Sequence, residues 1–120
     1  MRRIRWVPSN IRLSESEQDG IVASVFELKG CQPVAIHLFG SRTDMEKRGG
    51  DIDLWIELST YPSDPSKLAR ALRTSLEDRL GEQKFDLVFS GPLDEIMDPQ
   101  LAAFRETLLS TKVTLWKAPT

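Results

Sequence analysis

One isoleucine separates Asp51 from Asp53, and nine residues separate Asp51 from the Gly40-Ser41 pair, all within the stretch LFGSRTDMEKRGGDIDLWIEL. On an extended strand, side chains two residues apart point the same way, roughly 6 to 7 Å from each other. Two carboxylates held like this repel. A basic partner, protonation of one acid or a divalent cation relieves the repulsion. Lys47 and Arg48 are near enough in sequence to serve as the basic partner.

Asp86 shifts the balance toward the cation. It is the only acid in KFDLVF, between Phe85 and Leu87, and a carboxylate on a mostly covered strand is costly without a partner. If the strand of Asp86 lies beside that of Asp53, three hard oxygen donors converge. Such a set suits Mg2+ or Mn2+, with positions left for water and phosphate oxygens. Gly40 and Ser41 supply a complementary half: glycine permits close backbone approach, and successive amides in a turn form an anion-binding nest with the serine hydroxyl as a further donor. Arg42 follows; reaching a phosphate and pairing with Asp44 or Glu46 are both open to it.

These residues need a scaffold. Ser14-Glu15-Ser16-Glu17 has the form of a capping box, and Ile21, Val22, Val25, Phe26 and Leu28 follow at helical spacing, so a helix is expected from about 14 to 29, stopped by Gly30. Val34 to Phe39 reads as a buried strand ending at Gly40, and Ile52 to Leu58 as a second. The link between them is too short for a helical crossover, which predicts antiparallel neighbours. Asp64-Pro65 opens a second helix running to Leu80, with Leu68, Ala69, Leu72, Leu76 and Leu80 as its apolar stripe and Gly81 as its stop. Lys84 to Phe89 forms a third strand, with Phe85, Leu87 and Phe89 on one face and Asp86 and Val88 on the other. Asp98-Pro99 starts a further helix with Leu101, Phe104 and Leu108 inward, Val113 to Trp116 forms a last strand, and Ile4 to Val7 could add an edge. The order predicts an α+β fold, a mixed β-sheet with helices packed on it, in a single domain spanning 1–120.

Composition narrows the function classes. Sixteen basic and eighteen acidic residues leave a net charge of −2, which gives no strong nucleic-acid signal. The single cysteine, Cys31, excludes an intramolecular disulfide and a multi-cysteine zinc site and fits a cytoplasmic setting. No apolar run approaches the roughly twenty residues of a membrane span, and the N-terminus does not read as a signal peptide.

GSRTDMEKRGGDIDL resembles the Gly-Ser, spacer, Asp-x-Asp signature of the DNA polymerase β-type nucleotidyltransferases, and KFDLVF resembles the strand carrying their third carboxylate. The chain is most similar to the minimal nucleotidyltransferase domains, often encoded beside a HEPN-domain ribonuclease as antitoxin and toxin. The resemblance runs from about Arg12 to Trp116. It implies a polymerase β-like fold, metal contacts from Asp51, Asp53 and Asp86, and a grip on the β- and γ-phosphates by Ser41 and the amides around Gly40. The implied reaction is in-line transfer of a nucleoside monophosphate, AMP from ATP, to a protein acceptor such as a HEPN-type partner. The alternative is a binding module of little or no transfer activity that neutralises the ribonuclease by occlusion; a third reading, a small-molecule nucleotidyltransferase, lacks an acceptor domain. Nine residues between Ser41 and Asp51, where many minimal members have ten, marks the loop as variable.

Other candidates have plainer readings. His37 alternates with Ile36 and Leu38 and is expected to be a hydrogen-bonded structural histidine. Trp55 shares the carboxylates' face, where it could stack on a base or pack under a helix. Cys31 is expected to be a passive small side chain, Asp94, Glu95 and Asp98 to favour a helix N-terminus, and the basic residues of the second helix to form a solvated face.

Overall fold

The computed structural model describes residues 13–40, 51–91 and 112–119. Its elements are α1 (Glu15–Phe26), β1 (Pro33–Phe39), β2 (Ile52–Leu58), α2 (Pro65–Leu80), β3 (Phe85–Ser90) and β4 (Val113–Lys117). The four strands form one mixed sheet in the order β3-β2-β1-β4. β1 runs antiparallel to both β2 and β4, whereas β2 and β3 are parallel, with α2 in the crossover that parallel neighbours require. The expected α+β class and mixed sheet are present. The helix expected after Asp98 and the edge expected at Ile4 to Val7 fall outside the described residues.

The local reasons are those written in the chain. The Ser14 hydroxyl accepts from the Glu17 amide at 3.0 Å and the Glu17 carboxylate accepts from the Ser14 amide at 2.9 Å, completing the capping box. Asp64 caps α2 by accepting from the Lys67 amide, one residue before Pro65. α1 ends at Phe26, three residues short of the expected boundary, because the chain turns at Glu27 and Leu28 before Gly30 takes φ +79°. Phe26, expected inside, is 38% exposed and sets its ring edge-on to Trp116, with centroids 4.8 Å apart.

One sheet face carries the core. Ile36 and Leu38 from β1, Ile52, Leu54, Ile56 and Leu58 from β2, and Phe85 and Phe89 from β3 pack with Ile21, Val22 and Val25 of α1 and Leu72 and Leu76 of α2. Leu68, Ala69 and Leu80 lie at the margin of that core, and Trp116 belongs to it. Arg79 binds Glu27 through two 2.7 Å bonds and ties α2 to α1 at the surface. Among the described residues no helix is long and apolar enough to cross a membrane.

Candidate functional site

Period-two alternation sends the remaining side chains of the strands to the opposite face, where three rows cross the sheet. Phe39, Asp53 and Asp86 occupy the first, His37, Trp55 and Val88 the second, and Ala35, Glu57 and Ser90 the third. The first row holds the candidate site. Asp53 and Asp86 are direct register partners on parallel strands, so neighbouring backbones aim both carboxylates to the same side.

Their proximity is expressed in the proton affinity of Asp53, which is pushed up to about 7. Burial is the largest cause, followed by a hydrogen bond with Asp86 and by the negative charges of Asp86 and Asp51; the Lys84 ammonium pulls the other way. Gly40, at φ +77°, closes the end of β1 over this carboxyl. A Cβ there would overlap the Asp53 carboxylate, so the glycine is required both by its backbone angle and by the space.

Asp51 lies one residue before β2, at the strand boundary expected from the sequence. Its carboxylate faces the Lys84 ammonium at 3.7 Å, both groups being largely open to water, with 44% and 72% side-chain exposure. Asp86 is exposed, whereas it was expected on a covered strand face; among the described residues β3 is the outer strand of the sheet, and Asp86 is its second residue. Among the described residues, no group of three or more His, Cys, Asp and Glu side chains is arranged to hold a metal ion. Asp53 and Asp86 nevertheless fit a divalent cation by donor chemistry: they are hard oxygen ligands in direct register on adjacent strands, and the hydrogen bond and charge of Asp86 add to burial in raising the affinity of Asp53 for a proton. Ser41 and Arg42, and with them Lys47 and Arg48, lie outside the described residues.

The second and third rows brace the first. His37 Nε2 lies 2.5 Å from Glu57 Oε2, and His37 Nδ1 lies 2.9 Å from Thr114 Oγ1. A carboxylate only accepts, so Nε2 carries the proton and Nδ1 accepts from the threonine hydroxyl. The ring thereby joins β2, β1 and β4, and its basicity is lowered by burial despite the pull of Glu57. This is the structural histidine expected from the alternation. Trp55 is buried under the same row, 4.7 Å between ring centroids from His37, with its Nε1 donating to Ser90 Oγ at 2.8 Å. It packs and is not open for a base to stack on. Cys31 is half-buried and burial raises its thiol pKa, which keeps it in the unreactive form.

Lys84 is the member of the site that the motifs do not single out. The signal was available in the alternation: Lys84 is two residues before Asp86, and its carbonyl accepts from the Ile52 amide at 3.0 Å, which pins it to the start of β2 beside Asp51. No protein-family model matches the chain, and no curated protein matches it.

Proposed function

We propose that the chain is a metal-dependent nucleotidyltransferase of polymerase β-like fold that transfers a nucleoside monophosphate, AMP from ATP, to a protein acceptor. The observation that carries this reading is the pairing of Asp53 with Asp86 on adjacent parallel strands, closed over by Gly40 at the end of β1. Asp53 and Asp86, joined by Asp51, would hold Mg2+ or Mn2+. When bound, the cation supplies Lewis-acid stabilisation of charge on the attacking and leaving oxygens.

The chain's own contribution is positional. The β2–β3 pairing sets the two carboxylates side by side without any loop between them, so their separation is a property of the sheet. The His37, Trp55 and Glu57 bonds behind them stiffen the strands that carry them. Gly40, having no side chain, lets the end of β1 lie directly against the Asp53 carboxylate. The resemblance supplies the acceptor: a HEPN-type ribonuclease, silenced by the modification, in a toxin and antitoxin pair.

The test is incubation of the chain with Mg2+, labelled ATP and a HEPN-type ribonuclease as acceptor, followed by intact-mass analysis of both proteins. A mass increment of one or more nucleotidyl groups on the ribonuclease is the expected result. A stable complex with unmodified mass would instead identify an inhibitor that works by occlusion.

A further inference from the structure

At the end of the sheet away from Gly40 and Asp53, the turn from α1 into β1 is joined to the segment from β2 into α2 by the Ser59 amide, which donates to the Gln32 carbonyl at 3.0 Å. The two segments leave an open trough. One part of it, about 570 Å3, lies between the helices, with Leu28, Cys31, Leu68 and Ala71 as apolar lining and Lys29 and Lys67 at the rim. A second part, also about 570 Å3, runs on past Ser59 and Thr60 and has no charged side chain in its lining. The two share Gly30, Cys31, Pro62 and Ser63, so they are continuous. The seven residues of β1 separate the trough from the carboxylates by on the order of 20 Å.

The acids at the rim are already engaged. Glu27 is matched by Arg79 through two 2.7 Å bonds, and Asp64 caps α2 by accepting from the Lys67 amide. The lysines are not: both are exposed, and among the described residues neither is in an ion pair. Arg70 is exposed one turn beyond Lys67 and adds to the surplus of positive charge. α2 has no acid in its first turn. Cations at the start of a helix work against its dipole, so helix stability does not account for their place.

We infer that this trough is a docking site for an extended acidic segment of a protein partner, whose apolar side chains rest on Leu28 and Leu68 and whose carboxylates meet Lys29 and Lys67. Its continuity past Pro62 suits an extended peptide better than a compact ligand. A nucleic-acid strand would use the cations and leave the apolar floor unfilled. The trough contains neither Asp53 nor Asp86, so docking here is independent of nucleotidyl transfer.

The probe is a short fluorescein-labelled peptide of glutamates around two leucines, titrated with the whole chain and read by fluorescence anisotropy. Saturable binding is expected, weakened roughly three- to tenfold by Lys29→Gln and by Lys67→Gln. Ala71→Trp fills the floor without altering charge and is expected to weaken it at least about fivefold. Replacing the leucines of the peptide by serine, or its glutamates by lysine, is expected to weaken binding at least about tenfold. These peptide comparisons need no variant, so they decide the matter even where a substitution disturbs the fold. Absence of saturable binding, equal affinity for the leucine-free peptide, or tighter binding of an oligouridylate than of the acidic peptide would overturn the inference.

Discussion

The Gly40 backbone lies against the Asp53 carboxylate so closely that no side chain fits between them. Gly40 also holds φ +77°, a left-handed angle that an L side chain adopts only at a cost. Gly40→Ala is therefore expected to lose about 1–2 kcal/mol of stability by chemical denaturation. It also displaces the Asp53 side chain, and the proposed nucleotidyl transfer is expected to fall at least about tenfold, in line with the cost of a small misplacement at a reacting centre. Wild-type activity in Gly40→Ala would show that the close approach has no part in the site.

Neutralising either member of the carboxylate pair separates function from folding. Asp53→Asn and Asp86→Asn each preserve volume while removing a charge from a repulsive pair. On the proposed function, each is expected to lower transfer on the order of a hundredfold or more, since each would remove a ligand to the proposed cation. Each also leaves the metal-free protein as stable as the wild type or more so at pH 8, measured by thermal melting. Retained transfer in both variants would exclude the proposed role of the pair.

The pH dependence of the metal-free protein carries the signature of Asp53. Its carboxyl has an ordinary value of 3.8 and is raised to about 7 in the fold. Between these limits the folded state holds a proton that the unfolded state has released, so stability falls as pH rises from about 4 to about 7 and levels off above it. His37 acts in the opposite sense: its pKa is lowered from 6.5, so the unfolded state binds the proton first, and the contribution of the neutral ring is lost as pH falls below 6.5. Urea titrations from pH 4 to 8 resolve the two, because Asp53→Asn removes the loss on the alkaline side and leaves the acid-side loss in place. If the carboxylates hold the proposed cation, added Mg2+ is expected to raise the midpoint more at pH 8 than at pH 5, where the proton competes for Asp53.

The buried tie across the sheet is a matter of hydrogen-bond satisfaction. Glu57→Ala leaves the Nε2 proton of His37 without its acceptor, and His37 itself is 2% exposed. The expected loss is about 1–3 kcal/mol in urea denaturation. Glu57→Gln retains an acceptor oxygen and is expected to lose less than half as much. Equal losses in the two variants would show that packing, not the bond to the ring, is what Glu57 provides.

Much of this was legible along the chain because it depends on neighbours in sequence. The Ser14 and Asp64 caps, the period-two alternation of β1, β2 and β3, and the leucine stripe of α2 are local patterns, and each occurs where the spacing places it. The acids of the candidate site were legible too, as an Asp-x-Asp pair and a single acid in an apolar strand. Pairing was not. That β3 lies beside β2 in parallel, bringing Asp86 into register with Asp53, is a contact between residues far apart in the chain. It is chosen by the way α2 covers the sheet, and no local propensity encodes it.

Environment was decided at the same level. Asp86 is exposed near the start of β3 while Val88 and Ser90 on the same face are buried, Asp51 faces Lys84 because the Ile52 amide binds the Lys84 carbonyl, and the thiol of Cys31 is unreactive because of what surrounds it. Residue types and their spacing determined which side chains could do chemistry and which elements would carry them. Tertiary packing alone decided which carboxylates meet, how much water reaches them and which cation stands beside them, since charge and solvation act through space and not along the chain.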